Sequence, residues 1–278
     1  MITVKNLTFR YRGKGHIYRD FSLTIEKGRI YGLLGANGTG KSTLLKLLAG
    51  VLTPNEGEVE VLGYKSSERR VAMMSLLAIL PEEMDIPNIT TSEYRRITAP
   101  FYPAFDHDFF ERALAEFRVD PAVKLKNLSM GGLKKMLIAF TMSCGTQLLL
   151  LDEPTNGLDI PSKAVFRRLL AEWATPERTA IISTHQVKDV ENLLDHIVII
   201  DNRGIVVDAS TYDICQRLYF AIESNADGAL YSIPSLGGYA TVRPNTTDAE
   251  SNIDIELLFG VATAQREEIK RILNPSNK

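Results

Sequence analysis

The chain has 278 residues, 45% hydrophobic and 24% charged, a balance that excludes disordered, collagen-like and disulfide-scaffold classes. At roughly 150 residues per domain, this length predicts one large domain or a domain with an appendage. Lys and Arg number 32 against 34 Asp and Glu, a formal net charge of -2, so electrostatics is not the main route to nucleic acid or an anionic membrane. The opening MITVKNLTFRYRG alternates polar and apolar residues without a continuous apolar stretch, so it does not read as a secretory signal. Phe21, Leu23 and Ile25 keep the period of a half-buried strand until Lys27-Gly28 turns the chain. Arg29 to Leu34 reads as a buried strand running into a glycine-rich loop. Leu44, Leu45, Leu47, Leu48 and Val51 then follow at helical spacing up to Thr53-Pro54-Asn55. Val59 and Val61 form another short strand after Gly57, so the N-terminal third mixes antiparallel strands with a parallel core.

From Thr91 to Phe117 the pattern turns helical, with Ser92 and Asp106 as expected caps and Pro100, Pro103 and Pro121 as breaks. This predicts a helical insertion. Strands and helices alternate again through Leu148 to Leu151, Ser162 to Trp173, Thr179 to Ser183, a helix near Val187 to Leu194, and Ile197 to Ile200. Such alternation implies a parallel sheet with crossovers. The charge-free stretch from Met136 to Leu151 is shorter than the roughly 20 apolar residues of a membrane span and contains Ser143, Gly145, Thr146 and Gln147. A cytoplasmic protein is expected, and any membrane would be spanned by another chain. Cys144 and Cys215 lack metal spacing and read as small hydrophobes in a reducing compartment. Beyond about Tyr219 come short alternating stretches around Tyr231, Tyr239 and Ile253 to Phe259. A closing amphipathic helix has Glu267 and Arg271 at i,i+4, and the whole predicts a small terminal folding unit.

Gly35-Ala36-Asn37-Gly38-Thr39-Gly40-Lys41-Ser42 fits G-x-x-x-x-G-K-[ST] between a predicted strand and a predicted helix. Glycines let backbone N–H groups close around phosphate oxygens, and the helix N-terminus adds partial positive charge. Lys41 reaches the β and γ phosphates, and Ser42 offers its hydroxyl to Mg²⁺. Leu148 to Leu151 delivers Asp152 and Glu153 at a strand's C-terminal end, where ligands of parallel sheets bind. Asp152 is expected to hold Mg²⁺ through water, and Glu153 to be the base that activates the attacking water. Adjacent carboxylates about 4 Å apart repel by roughly 4 kcal/mol at an effective dielectric of 20, so a bound cation makes the pairing sensible.

Between these elements lies Leu128-Ser129-Met130-Gly131-Gly132, followed by a helix through Lys135 and Ala139. With it, the chain resembles the ATP-binding subunit of ATP-binding cassette (ABC) transporters over about Ile2 to Asp208. The order of phosphate loop, helical insertion, signature, LLLLDEP and a following histidine is that family's order. The resemblance implies an α/β fold: a P-loop NTPase cassette with a mixed β-sheet core over 1–218, a helical subdomain at about 86–145, and a small C-terminal α+β extension over 219–278. It implies ATP and Mg²⁺ as ligands and two cassettes packed head to tail. It further implies permease subunits as partners, no direct nucleic acid, and a place at the inner face of the cell membrane.

Carried over by position, the phosphate loop Gly35 to Ser42 and Thr43 would hold ATP, with Ser129 and Gly131 contacting its γ-phosphate from the other copy. Tyr11 would stack on adenine, although a packed strand tyrosine and the nearby Tyr18 are competing readings. Asn156-Gly157-Leu158-Asp159 matches the loop across the dimer seam and His185 the switch histidine, so Lys41, Glu153 and His185 make the catalytic set. Ser42, Asp152 and Glu82 make the metal set. The chain departs from the family at Glu82, where glutamine is usual, at Met130 and Gly132 in the signature, and at Gln186, where an acid is common. Similar patterns occur among bacterial drug, antimicrobial-peptide and bacitracin-type exporters. Lys124, Lys126, Lys134 and Lys135 read as a solvated rim. The leading expectation is an ATPase powering transport, with a soluble cassette ATPase acting in macromolecular assembly or on nucleic acid or ribosomes as the alternative.

Overall fold

A computed structural model describes residues 1–83, 85–247 and 249–273; residues 274–278 of the expected C-terminal extension lie outside the described residues. Strands β1 (Ile2–Arg10), β2 (His16–Ile25) and β3 (Ile30–Leu34) lead to helix α1 (Lys41–Leu48). Next come β4 (Glu56–Val61), the short β5 (Tyr64–Lys65), the single turn α2 (Val71–Met74) and β6 (Leu77–Leu80). The helical insertion holds α3 (Thr91–Thr98), α4 (His107–Phe117) and α5 (Met130–Ser143). The alternating part resumes with β7 (Leu148–Asp152), α6 (Ile160–Trp173), β8 (Thr179–Ser183), β9 (His196–Asp201), β10 (Gly204–Ser210) and α7 (Thr211–Arg217). The chain closes through β11 (Leu218–Glu223), β12 (Tyr231–Ser235), β13 (Gly238–Pro244), α8 (Ile255–Ala264) and α9 (Arg266–Leu273).

The central sheet has the order β10-β9-β3-β8-β7-β6, parallel apart from β10 at one edge. Its strands are buried on both faces, which is why they read as continuous apolar runs. In β7, Leu149 and Leu151 face one apolar cluster with Phe166 and Leu170 of α6, while Leu148 and Leu150 face another with Leu45 and Leu48 of α1. The second cluster also takes up the inward residues of the antiparallel sheet β2-β1-β4-β5, among them Ile2, Phe21 and Val61. Three layers therefore enclose two cores, and the C-terminal ends of β3, β7 and β8 open at one edge.

Several expectations are corrected. Val187 to Leu194 is two 3₁₀ turns rather than a helix, with i→i−3 bonds such as Val190 to Val187 and Leu193 to Val190. Val190 between them, at φ -130°, breaks helical propagation. Ser92 does not cap α3; Thr90 does, in a reciprocal capping box with Glu93, while the Ser92 hydroxyl bonds the Pro121 carbonyl at 3.2 Å. Asp106 caps α4, accepting from the Phe109 amide at 2.8 Å. Val51 lies beyond α1 and is half exposed. The stretch Ile253 to Phe259 is helical from Ile255, because Asp254 accepts from the Leu257 amide at 3.0 Å and Ile255, Leu258, Val261 and Ala262 make a buried stripe. Arg271 pairs with Glu268 at 2.5 Å, and Glu267 with Arg266 at 2.8 Å. Lys134 is buried, not on a solvated rim.

Strands β11, β13 and β12 form a separate antiparallel sheet, yet Phe220, Val242, Ile255 and Ile269 join the same apolar cluster as Ile199 and Val207 of the cassette. Arg217 donates to the carbonyls of Ile272 and Leu273 at 3.0 and 2.8 Å, and Arg266 pairs with Asp201 at 2.7 Å. The terminal segment shares the cassette's core.

Candidate active site

The loop from Gly35 to Gly40 bends in front of α1. Gly38 and Gly40 hold φ of 83° and 105°, left-handed values that suit glycine. A Cβ on Gly35 would meet the Ile200 carbonyl at 2.6 Å, and one on Gly40 the Tyr18 phenol oxygen at 2.7 Å. One on Gly38 would meet nothing within 4 Å, so that side is open to a ligand. The first amides of α1 have no intrahelical acceptors, which with the helix dipole makes an anion cradle. Lys41, only 7% exposed, folds over the loop, its Nζ donating to the carbonyls of Gly35 at 2.7 Å and Ala36 at 3.2 Å. The Thr39 hydroxyl donates to the same Ala36 carbonyl at 2.9 Å. Burial pushes the Lys41 ammonium pKa down, and the charges of Glu153, Asp152 and Glu82 oppose that shift.

Strand register sets the acids. Asp152 is level with Ser183 and Leu80 with Leu151. Asp152 is buried, and one carboxylate oxygen accepts from the Ser183 hydroxyl. Glu153 turns out of the strand at φ 46°, a left-handed conformation that costs energy for a residue with a side chain. Its amide donates to the Ser183 carbonyl at 2.9 Å, which anchors that turn. The turn brings its carboxylate to His185: the His185 amide donates to Oε1 at 3.1 Å, and the ring Nδ1 lies 2.8 Å from Oε1. Lys163 of α6 donates to Gln186 Oε1 at 3.2 Å, so the residue where an acid is common is held to α6.

Lys41, Ser42, Thr43, Glu82, Glu153 and His185 converge on one cavity of about 550 Å³, together with Asn37, Gly38 and Gly40. Tyr11 lines it too, its hydroxyl 3.2 Å from Thr43 Oγ1 and its ring edge-on to Phe9 at 5.1 Å. Tyr18 is buried and donates its hydroxyl to the Gly40 carbonyl at 2.8 Å, so it supports the loop from behind. Lys14, Ile17 and Asn156 also line the cavity. Asn156 belongs to the Asn156-Gly157-Leu158-Asp159 motif, whereas Lys14 and Ile17 carry no sequence signal because only the β1–β2 pairing brings them there.

Ser129, Gly131 and Asp159 do not line that cavity. Ser129 caps α5 by accepting from the Gly132 amide at 3.1 Å, and a Cβ on Gly131 would meet the Gly157 carbonyl at 2.9 Å. Asp159 caps α6 by accepting from the Ser162 amide at 2.9 Å and pairs with Lys135 at 3.2 Å; hydrogen bonding from the Ser162 side chain first, then from its amide and from Lys135, holds the carboxyl down at about 2. Met130 and Ile160 beside them are 78% and 83% exposed, an apolar pair with no cover in one chain. Among the described residues, no group of three or more His, Cys, Asp or Glu side chains could hold a metal by itself. The donors present, the Ser42 hydroxyl and the carboxylates of Asp152 and Glu82, are hard oxygen ligands of the kind that suits Mg²⁺ beside substrate phosphate oxygens.

A lysine-closed phosphate cradle at the end of a parallel strand, beside strand-borne acids and a histidine, defines a P-loop nucleotide-binding cassette. The sequence matches the ABC transporter family over residues 18–156, and the chain belongs to that family as an ATP-binding cassette. It is 32% identical over 202 residues to the ABC transporter ATP-binding protein YdbJ of Bacillus subtilis, covering 71% of this chain and 66% of YdbJ. It is 28% identical to NatA of the same organism, another ABC transporter ATP-binding protein, over 74% of this chain and 88% of NatA. An ATP-binding subunit of an ABC transporter superposes with a TM-score of 0.69 at 25% identity, covering 77% of this chain and 91% of that one. A dimeric cassette in a post-hydrolysis state with ADP and Pi shares the fold, with a TM-score of 0.67 at 20% identity, over 76% of this chain and 98% of that one. The helices among the described residues include none long and apolar enough to cross a membrane.

Proposed function

We propose that two copies of this chain, or one copy with a related cassette, close head to tail over two ATP molecules and drive export through separate permease subunits. The observation that carries this reading is the divided site. Lys41, Glu153 and His185 meet in one cavity, while Ser129 and Gly131 lie elsewhere beside the uncovered Met130 and Ile160. The signature of a second copy completes the cradle, with the capped N-terminus of α5 turned to the terminal phosphate. Glu153 takes the proton of the attacking water, and His185 orients the Glu153 carboxylate through its Nδ1 contact. Ser42, Glu82 and Asp152 would hold Mg²⁺, which when bound neutralises charge on the β and γ phosphates. Likeness to LnrL, a linearmycin resistance ATP-binding protein of Bacillus subtilis, at 28% identity supports export, against likeness to ZurA, a zinc uptake system ATP-binding protein of Listeria innocua, at 29%.

The segment from Tyr219 is an accessory unit acting on the switch loop. Its Glu256 pairs with Lys188 at 2.5 Å, and its Ile255 amide donates to Glu191 at 2.9 Å, a few residues after His185. The divided site is tested by mixing Ser129→Arg with Lys41→Ala. Each alone is expected to be inactive. A mixed dimer has one composite site with both defects and one with neither, so partial ATPase activity should return. A dead mixture of properly folded proteins would place both elements in one chain's site.

A further inference from the structure

His185 reaches Glu153 from the end of β8, and the residues behind it form a 3₁₀ turn, Val187–Asp189, followed by a second. A short 3₁₀ segment closes on few hydrogen bonds and has little stiffness of its own. Toward β8 it is tied by the Gln186 amide, which donates to Thr184 Oγ1 at 2.9 Å. Further ties come from α6 and α8. On the α6 side, Lys163 Nζ reaches both ends of the first turn. It donates to Gln186 Oε1 at 3.2 Å, next to the histidine, and pairs with the Asp189 carboxylate at 2.7 Å, three residues on. Asp189 Oδ2 is buried and has no aligned hydrogen bond, so the ammonium is what compensates its charge. Arg167, one helical turn from Lys163 on the same face of α6, donates to the Asp189 carbonyl at 3.3 Å. On the α8 side, the side chains of Lys188 and Glu256 are 75% and 57% exposed, against 22% and 16% for Lys163 and Asp189. Water and salt screen the first pair far more than the second, so the α6 tie is the stronger.

An ion pair that only braced the fold would need one acceptor. Lys163 takes one on each side of the turn, and an ammonium with three rotatable donors can serve both. An acid at 186 would set two carboxylates on one ammonium, whereas Gln186 gives it one charged and one neutral acceptor. We infer that Lys163 is a positioning residue for His185: its bridge from Gln186 to Asp189 fixes the turn and so seats the imidazole on Glu153. The ring is exposed, and among the described residues it is bonded to Glu153 alone. An ionised Glu153 only accepts, so Nδ1 carries the proton and the bond selects one tautomer. When the turn loosens, the ring swings into solvent and both tautomers form. The inference rests on the reading of His185 as the group that orients Glu153 only for its second readout.

The test compares wild type with Lys163→Met, which keeps an apolar stem and removes the donors, and with Lys163→Arg, which keeps charge and donors. The first readout is ¹⁵N NMR of the ring nitrogens in nucleotide-free, metal-free protein, above the pH at which the ring protonates. The chain has four histidines, and the His185 signals are those missing from His185→Ala. Wild type and Lys163→Arg should show the Nδ1–H tautomer, and Lys163→Met a mixture of both. A mere brace would lower the unfolding temperature and leave the tautomer in place. That result, or Lys163→Arg behaving as Lys163→Met does, overturns the inference. Should Lys163→Met not fold, Asp189→Ala cuts the same bridge at its other end, and an unmixed tautomer there overturns the inference too. The second readout is ATP hydrolysis. In Lys163→Met, kcat and kcat/KM should fall together by about 10- to 100-fold, the effect of misplacing a group by about 1 Å. A mixed tautomer with unchanged turnover would keep the positioning of the ring and remove His185 from the hydrolytic step.

Discussion

Glu153→Gln separates the chemistry of the site from its architecture. The amide keeps the shape of the side chain, and its carbonyl oxygen can still accept from the His185 amide, now 3.1 Å from Oε1. The left-handed turn at Glu153 is fixed by its own amide bond to the Ser183 carbonyl at 2.9 Å, which the substitution leaves in place. What disappears is a base and one negative charge. A positioned base contributes about 10²- to 10⁴-fold, or roughly 3 to 5 kcal/mol of barrier, so hydrolysis should fall by that factor. The lost charge repelled the polyphosphate: at roughly 8 Å and an effective dielectric of 20 that is about 2 kcal/mol, up to about 30-fold tighter ATP binding before screening. Phosphate release with Mg-ATP, a fluorescent-nucleotide titration and the unfolding temperature measure the three parts. Size exclusion should show dimers with ATP, since trapped nucleotide holds the cassettes closed. Turnover within about threefold of wild type in a folded protein would refute the assignment of Glu153 as base.

Tyr11→Ala should weaken ATP binding by about 1 to 2 kcal/mol with little change in unfolding temperature, whereas Tyr18→Phe should cost about 1 kcal/mol of stability through its lost bond to the Gly40 carbonyl. Isothermal titration and thermal melts on both variants check the division of labour. Truncation after Leu218 should give an insoluble protein, because it strips Phe220, Val242, Ile255, Leu258, Val261 and Ile269 from the shared cluster. At about 1.5 to 3 kcal/mol per buried side chain, that loss exceeds the 5 to 15 kcal/mol stability of an ordinary domain or comes near it. A soluble, ATP-binding product in a sedimentation assay would show instead that the segment folds apart.

What the sequence by itself determined was local. The phosphate loop, the strand that carries Asp152 and Glu153, the cap at Asp106 and the alternating texture each depend on backbone geometry within a few residues. Dihedral preference, hydrogen-bond reach and side-chain period are written into such windows. Short windows also mislead when two periods fit, as at Ile253 to Phe259, where alternation over a few residues hid a helix started by Asp254. Strand β10 and helix α7 carry starts of their own, the left-handed Gly204 and the Ser210 cap bonded to the Asp213 amide at 3.0 Å, but at 7 residues each they are too short for an apolar period to stand out.

Only the tertiary structure decided which distant residues share a space. Register across β6, β7 and β8 lines up Glu82, Asp152 and Glu153 with Ser183 and His185, and no spacing along the chain encodes it. Burial of Lys134 follows from the packing of α5 on β6, whereas its charge alone put it on the surface. The distance of Ser129 and Gly131 from Lys41, and the merging of the terminal segment with the cassette core, have the same origin. They depend on how layers stack to bury apolar faces, a long-range demand that every element satisfies together rather than one at a time.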